Sequence, residues 1–192
     1  MTVILVLATG LVTGAALRHP PTAAAVLCPG VGHGAPVTTA AGDPTVAPGT
    51  VPARLRAEPG RLRLLPLFHE WAGDCGLPAS LVEAICFWES GWRQSAVSPT
   101  GAVGVCQIEP GAAETVRRLT GDASLDPRSA SDNIEISAVY LRWLLDQNGG
   151  RRGEALAGYY QGPTSVKEHG ILTVSRPYVA GILALLQRYR WA

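Results

Sequence analysis

Charge is scarce in this 192-residue sequence, and what there is nearly cancels: charged residues make up 16% of the chain and the formal net charge is +1. Without a basic excess there is no electrostatic footprint for a phosphate backbone, so no nucleic-acid partner is expected. Cysteine is sparse as well. Four Cys (Cys28, Cys75, Cys86, Cys106) and four His (His19, His33, His69, His169) show no C-x-x-C, H-x-H or H-E-x-x-H spacing, so neither a metal site nor a cofactor is expected. The longest N-terminal apolar run, Val3 to Leu17, falls short of the roughly 20 residues that span a bilayer. No segment alternates like a strand for long, and no internal repeat is visible.

What is present is unevenly placed. Residues 1–27 read as a signal peptide or N-terminal anchor. The apolar run is broken by Thr9, Gly10, Thr13 and Gly14, and Thr22-Ala23-Ala24-Ala25 suits cleavage after Ala25. Met1-Thr2 supplies no positive n-region and Arg18 and His19 lie on the wrong side for a signal peptide, which leaves as alternatives a true start upstream of Met1 or an uncleaved, membrane-associated anchor. Residues 28–60 are rich in Pro, Gly, Ala and Thr and read as an extended, disordered linker. Residues 61–192 hold acidic and basic residues in equal number, all five Trp and both Phe, as a globular domain should.

Helical periodicity dominates that domain, and the expected fold class is all-α. Leu62, Leu64, Leu65, Leu67, Phe68 and Trp71 suggest a first short helix despite Pro66. A second starts near Pro78, carries the stripe Leu81, Val82, Ile85, Cys86 and Trp88, and ends at Ser90-Gly91. Ile136, Tyr140, Trp143 and Leu144 mark a third, stopped by Asn148-Gly149-Gly150. Glu154 to Tyr160 forms a fourth. Val179, Ile182, Leu183 and Leu186 define a last one, started by Pro177.

Glu89 is the most informative carboxylate. It stands in the last turn of the second helix, where the negative end of the helix dipole opposes its ionisation, and Phe87, Trp88 and Trp92 would desolvate it. A carboxyl kept protonated near neutrality is what a general acid needs; the plainer role is an exposed Glu fraying with the helix end. Glu83 has Ser-x-x-Glu capping spacing with Ser80, or a surface role. Cys86 on the apolar stripe and Cys106 in an apolar loop favour a bridge in an exported chain, with two buried free thiols as the alternative. Cys28 is a weak candidate for lipid attachment.

Three segments then fall in a recognisable order: Glu89-Ser90, the loop Ser98-Pro99-Thr100-Gly101-Ala102-Val103-Gly104-Val105-Cys106-Gln107-Ile108-Glu109-Pro110, and Ala157-Gly158-Tyr159-Tyr160-Gln161-Gly162-Pro163. Together with Asp132-Asn133-Ile134 and Tyr178-Val179, they make residues 70 to 190 resemble the soluble lytic transglycosylase catalytic domain, a bacterial peptidoglycan-cleaving family with a lysozyme-like helical fold. The resemblance implies that Glu89 is the single catalytic acid and base. It would protonate the glycosidic oxygen between N-acetylmuramic acid and N-acetylglucosamine, then help the muramoyl 6-hydroxyl close onto the anomeric carbon. A 1,6-anhydro end results, and no second carboxylate is needed. Asp74, Asp122, Asp126, Asp132 and Asp146 offer no obvious partner at a two-carboxylate separation.

By the same resemblance, Ser98 and Gln107 would line the sugar cleft, with Gln107 donating to substrate. Ser90 would steady the following loop or touch substrate. Tyr159 would orient the Glu89 carboxyl by hydrogen bond. Tyr160, standing where the family has Asn, could stack on a sugar, and Tyr178 would join the substrate-binding set. The family's Met before the Gln is Cys106 and its Ala three residues before the Glu is Cys86, a joint departure that supports the disulfide. The implied partner is the peptidoglycan glycan strand and the implied setting extracellular or cell-wall associated, with the protein a monomer. Competing readings are a goose-type-lysozyme-like hydrolase, a cysteine peptidase using Cys75 and His169, and a non-catalytic glycan-binding module.

Overall fold

A computed structural model describes Cys28 and residues 50–191. The described chain is helical, with no named strand and only isolated bridge residues, Val97↔Val103 and Val103↔Ile108 among them. In order the helices are α1 (Ala53–Arg56), α2 (Pro59–Leu62), α3 (Leu65–Asp74), α4 (Ala79–Ser90), α5 (Pro110–Thr120), α6 (Ala130–Gln147), α7 (Arg152–Gln161), α8 (Pro163–His169) and α9 (Arg176–Arg188), with a 3₁₀ turn at Thr173–Ser175. The all-α expectation therefore holds for the described residues.

Helix α6 is the central post. Ser129 caps it by accepting from the Asp132 N–H, and it packs against α3, α4, α5 and α7. Its buried residues lie on more than one face, among them Ile134, Ile136, Val139, Leu141 and Leu144, as a helix surrounded by neighbours requires. Helix α9 closes the other side by packing on α4 and α7. Helix α4 buries Leu81, Val82, Ile85 and Cys86. It ends where Gly91 adopts φ 67°, the left-handed C-cap that glycine enters without a Cβ clash.

Three expectations change. The first helix is two, because Pro66 is tolerated only in a first turn: α2 ends at Leu62 and α3 restarts at Leu65. Residues 50–60, assigned to the linker, are folded. Val51 and Leu55 are fully buried, Pro52 and Pro59 start short helices, and the Trp191 N–H donates to the Thr50 carbonyl at 2.6 Å. Residues 1–27 and 29–49 lie outside the described residues. Glu83 is neither cap nor surface: Pro78 holds the N-cap position with no side-chain cap bond, and Glu83 is fully buried. Helices α5 and α8 were not foreseen, since each buries few side chains, Ala113 and Val116 in α5 and Val166 in α8.

Candidate active site

The Glu89 side chain leaves the last turn of α4 beside the first turn of α9. Tyr178 Oη donates to Glu89 Oε1 at 2.6 Å. Burial is the main cause that pushes the Glu89 carboxyl up to about 7; the Tyr178 hydrogen bond opposes it and the nearby Glu109 carboxylate adds to it. The expected shift is present, with desolvation as its principal source. Burial beside Glu89 also pushes the Tyr178 phenol well up, which keeps it a donor.

The loop after α4 is fastened by buried polar side chains. Ser90 is buried; its Oγ donates to the Val105 carbonyl at 2.6 Å and accepts from the Arg93 N–H at 2.8 Å. Asn133, buried in α6, accepts from the Cys106 N–H at 2.8 Å and donates to the carbonyls of Val103 (2.9 Å) and Pro127 (2.7 Å). Gly104 makes that approach possible: φ is 81°, and a Cβ there would fall 2.3 Å from Asn133 Nδ2. The glycine spacing thus brings backbone close to Asn133. Cys86 and Cys106 are disulfide-bonded, tying α4 to the same loop.

Several expected contacts are placed differently. Tyr159 does not hydrogen-bond Glu89. Its hydroxyl donates to the Cys106 carbonyl (3.0 Å) and lies 3.0 Å from Ser137 Oγ, so the orienting bond belongs to Tyr178 instead. Gln107 sits at φ 50° with Nε2 donating to the carbonyls of Gly104 (3.1 Å) and Ala96 (3.3 Å). Both of its donor hydrogens are engaged in the loop, leaving only Oε1, an acceptor, for a ligand. Ser98 Oγ accepts from the Ala102 N–H at 2.9 Å and lies 2.9 Å from Thr100 Oγ1. Thr100 in turn donates to Glu109 Oε1 at 2.6 Å. Ser98 is therefore a loop-closing residue that reaches the cleft through Thr100 and Glu109.

A cavity of about 300 Å³ is lined by Gln107, Glu109, Tyr140, Tyr159, Tyr160 and Pro163 among others. Tyr160 is half exposed and stacks on Tyr178, centroids 4.8 Å apart. Of the expected site residues, Gln107, Tyr159 and Tyr160 line this cavity, Tyr178 and Glu89 adjoin it through the Tyr160 stack and the Tyr178 hydrogen bond, and Ser90 and Ser98 fasten the loop. Glu109 was missed: it is the one acid in the loop, two residues after Gln107 and directly before the α5 proline, and that position was the available signal.

The second disulfide joins Cys28 to Cys75. It removes Cys28 as a lipid acceptor and Cys75 as a nucleophile, so the cysteine-peptidase reading has no thiol. No helix among the described residues is long and apolar enough to cross a membrane.

With this geometry in view, the likeness to known proteins is specific. The family model of the transglycosylase SLT domain matches residues 66–176. The soluble lytic murein transglycosylase of Escherichia coli K12 is 34% identical over 105 residues, 53% of this chain and 16% of that protein. The membrane-bound lytic murein transglycosylase F of Mannheimia succiniciproducens is 34% identical over 82 residues, 43% of this chain and 15% of that protein. The chain thus spans about one sixth of the length of these relatives. Among solved structures, the 70 kDa soluble lytic transglycosylase of E. coli superposes with a TM-score of 0.60 at 28% identity, covering 65% of this chain and 24% of that one. An inactive glutamate-to-glutamine mutant of the Pseudomonas aeruginosa enzyme gives 0.56 at 27%, covering 62% and 22%. A matched segment longer than half the chain and a shared lysozyme-like helical architecture lead to one conclusion: the chain belongs to the transglycosylase SLT domain family.

Proposed function

We propose that the protein is a peptidoglycan lytic transglycosylase in which Glu89 is the single acid and base. The observation that carries this reading is a half-buried carboxyl, held near pKa 7 and hydrogen-bonded by Tyr178, whose ring stacks on Tyr160 in the lining of an aromatic cavity. Protonated Glu89 gives its proton to the oxygen linking N-acetylmuramic acid to N-acetylglucosamine, and the anomeric C–O bond breaks. The carboxylate so formed, held by the Tyr178 hydroxyl, takes the proton of the muramoyl 6-hydroxyl as that oxygen bonds to the anomeric carbon. The product carries a 1,6-anhydro end and Glu89 returns to its starting state. Ser90, Ser98, Gln107, Tyr159 and Tyr160 hold or line the cleft in which the glycan lies. The Pseudomonas aeruginosa relative made inactive by a glutamate-to-glutamine change, and a solved complex of the 70 kDa soluble lytic transglycosylase with bulgecin A, support a ligand-binding acidic site on this fold.

One observation favours a second outcome at the same bond. Glu109 is close enough to Glu89 to raise its pKa, and its Oε1 is held by Thr100. A second carboxylate could accept a proton from water, as in a two-carboxylate hydrolase. Mass spectrometry of muropeptides released from purified wall separates the outcomes, because anhydro ends are lighter by one water. A product set dominated by reducing ends would replace the transglycosylase reading with the hydrolase. A set of anhydro ends supports the first.

We place the protein outside the cytoplasm, acting as a monomer on the wall. Two disulfides fit an oxidising compartment, and the SLT relatives are named for murein.

A further inference from the structure

Four of the five tryptophans have ordinary places: Trp71, Trp92 and Trp191 are buried and Trp143 is partly buried in the core. Trp88 is the exception, 45% exposed although it directly precedes Glu89 on α4. Its exposure is not looseness. The indole crosses α9 at Gly181 so closely that a Cβ there would fall 2.1 Å from Cη2 and 2.2 Å from Cζ3. It also meets the Tyr178 ring edge-on, centroids 6.3 Å apart. Tyr178 thus touches Glu89 through its hydroxyl, Tyr160 through one stacked ring and Trp88 through another contact. Tyr160 lines the cavity and Trp88 does not, so the aromatic row runs from the cavity, past the acid, to Trp88.

We propose that Trp88, seated on Gly181, is a binding platform for a pyranose ring of the glycan strand, next to the scissile bond on the side away from the cavity. This deepens the function proposed above and rests on it. The apolar C–H face of a pyranose complements an indole face, and a half-exposed indole held in a fixed place offers apolar surface on which such a ring can lie. Because Gly181 fixes the ring, little rotamer freedom remains to be lost when the sugar arrives. The platform needs no charge, in keeping with the uncharged face of a pyranose ring.

The test uses the full chain carrying Glu89→Gln, so that binding is read without turnover, with chitotetraose as the probe, isothermal titration calorimetry as the measure of affinity in every variant and tryptophan emission as the signal specific to Trp88. We expect saturable quenching or a blue shift in this parent. Trp88→Leu, which keeps an apolar contact with Gly181, should abolish the signal and weaken binding on the order of tenfold, while Trp88→Tyr restores most of the affinity. Gly181→Ala, which pushes the ring from its seat without touching it chemically, should weaken binding similarly. In the active protein the same variants should raise KM more than they lower kcat and leave the pH profile in place. Unchanged chitotetraose affinity in Trp88→Leu overturns the proposal, as does absence of binding by the parent. A displaced pH profile with unchanged affinity also overturns it, since Trp88 would then only position Tyr178. Failure of the functional reading is seen separately, as the absence of lytic products from the unsubstituted protein.

Discussion

Tyr178 donates its phenolic hydrogen to Glu89 Oε1 at 2.6 Å, joining residues 89 positions apart. This bond stabilises the carboxylate and works against burial, which favours the acid; together they leave the group near 7, where it can both give and take a proton.

Replacing Tyr178 with Phe removes the influence that lowers the Glu89 pKa. The pH–kcat/KM limb assigned to Glu89 should move upward from about 7, and kcat should fall on the order of tenfold to a hundredfold because the carboxylate is less well held. A pH series on wall digestion checks both.

Glu109→Gln acts in the opposite direction. Its carboxylate raises the Glu89 pKa, so its loss should shift the same limb downward. If Glu109 serves water attack, the fraction of reducing ends in the product should fall as well. Unaltered product ends in the variant would confine Glu109 to electrostatics.

Gly104 and Gly101 make a controlled pair. Both have positive φ, 81° and 95°, but a Cβ at Gly101 meets nothing within 4 Å while one at Gly104 strikes Asn133. Gly101→Ala should cost about 1 kcal/mol of backbone strain; Gly104→Ala should cost roughly 3 kcal/mol or more, since it also breaks the Asn133 bonds to the loop. Urea titrations of the two variants give the comparison.

Stability should fall as pH rises from mildly acidic to mildly alkaline. Glu83 is fully buried, both carboxyl oxygens lack a hydrogen-bond partner among the described residues, and burial raises its pKa to about 8. His69 Nε2 lies 3.4 Å from Oε1. A folded-state pKa raised from 4.5 means the native state holds a proton that the unfolded chain has released. The contribution is fully present below about 4.5 and lost as pH climbs through about 8. Glu135, raised to about 7 by burial and then by Asp132, slopes the same way. Glu83→Gln should flatten part of this slope; denaturant melts at pH 5 and pH 8 measure it.

The parts of this molecule legible in its sequence are those set by neighbours in the chain. The α4 stripe and its Gly91 cap, the Asn148 stop of α6 and the placement of Glu89 in a last turn follow from periodicity and from what proline and glycine permit. The Cys86–Cys106 bridge was favoured from the apolar setting of both residues, and the resemblance strengthened it. What stayed hidden depends on how distant segments meet. Tyr159 and Tyr178 are both phenols near the acid, and which one reaches it is decided by the seat of α9 on α4. The burial of Glu83 and the Cys28–Cys75 bridge are likewise products of tertiary packing, as is the folding of residues 50–60 by burial of Val51 and Leu55.

The central claim is that the Glu89 carboxyl carries the proton. The most direct measurement is digestion of purified peptidoglycan by the parent protein and by Glu89→Gln, with release of muropeptides followed by mass spectrometry and retention on the wall followed by sedimentation. Parental release of 1,6-anhydro ends is expected, with a fall of about a thousandfold or more in a variant that still folds and still binds wall. Release by Glu89→Gln at close to the parental rate would contradict the account.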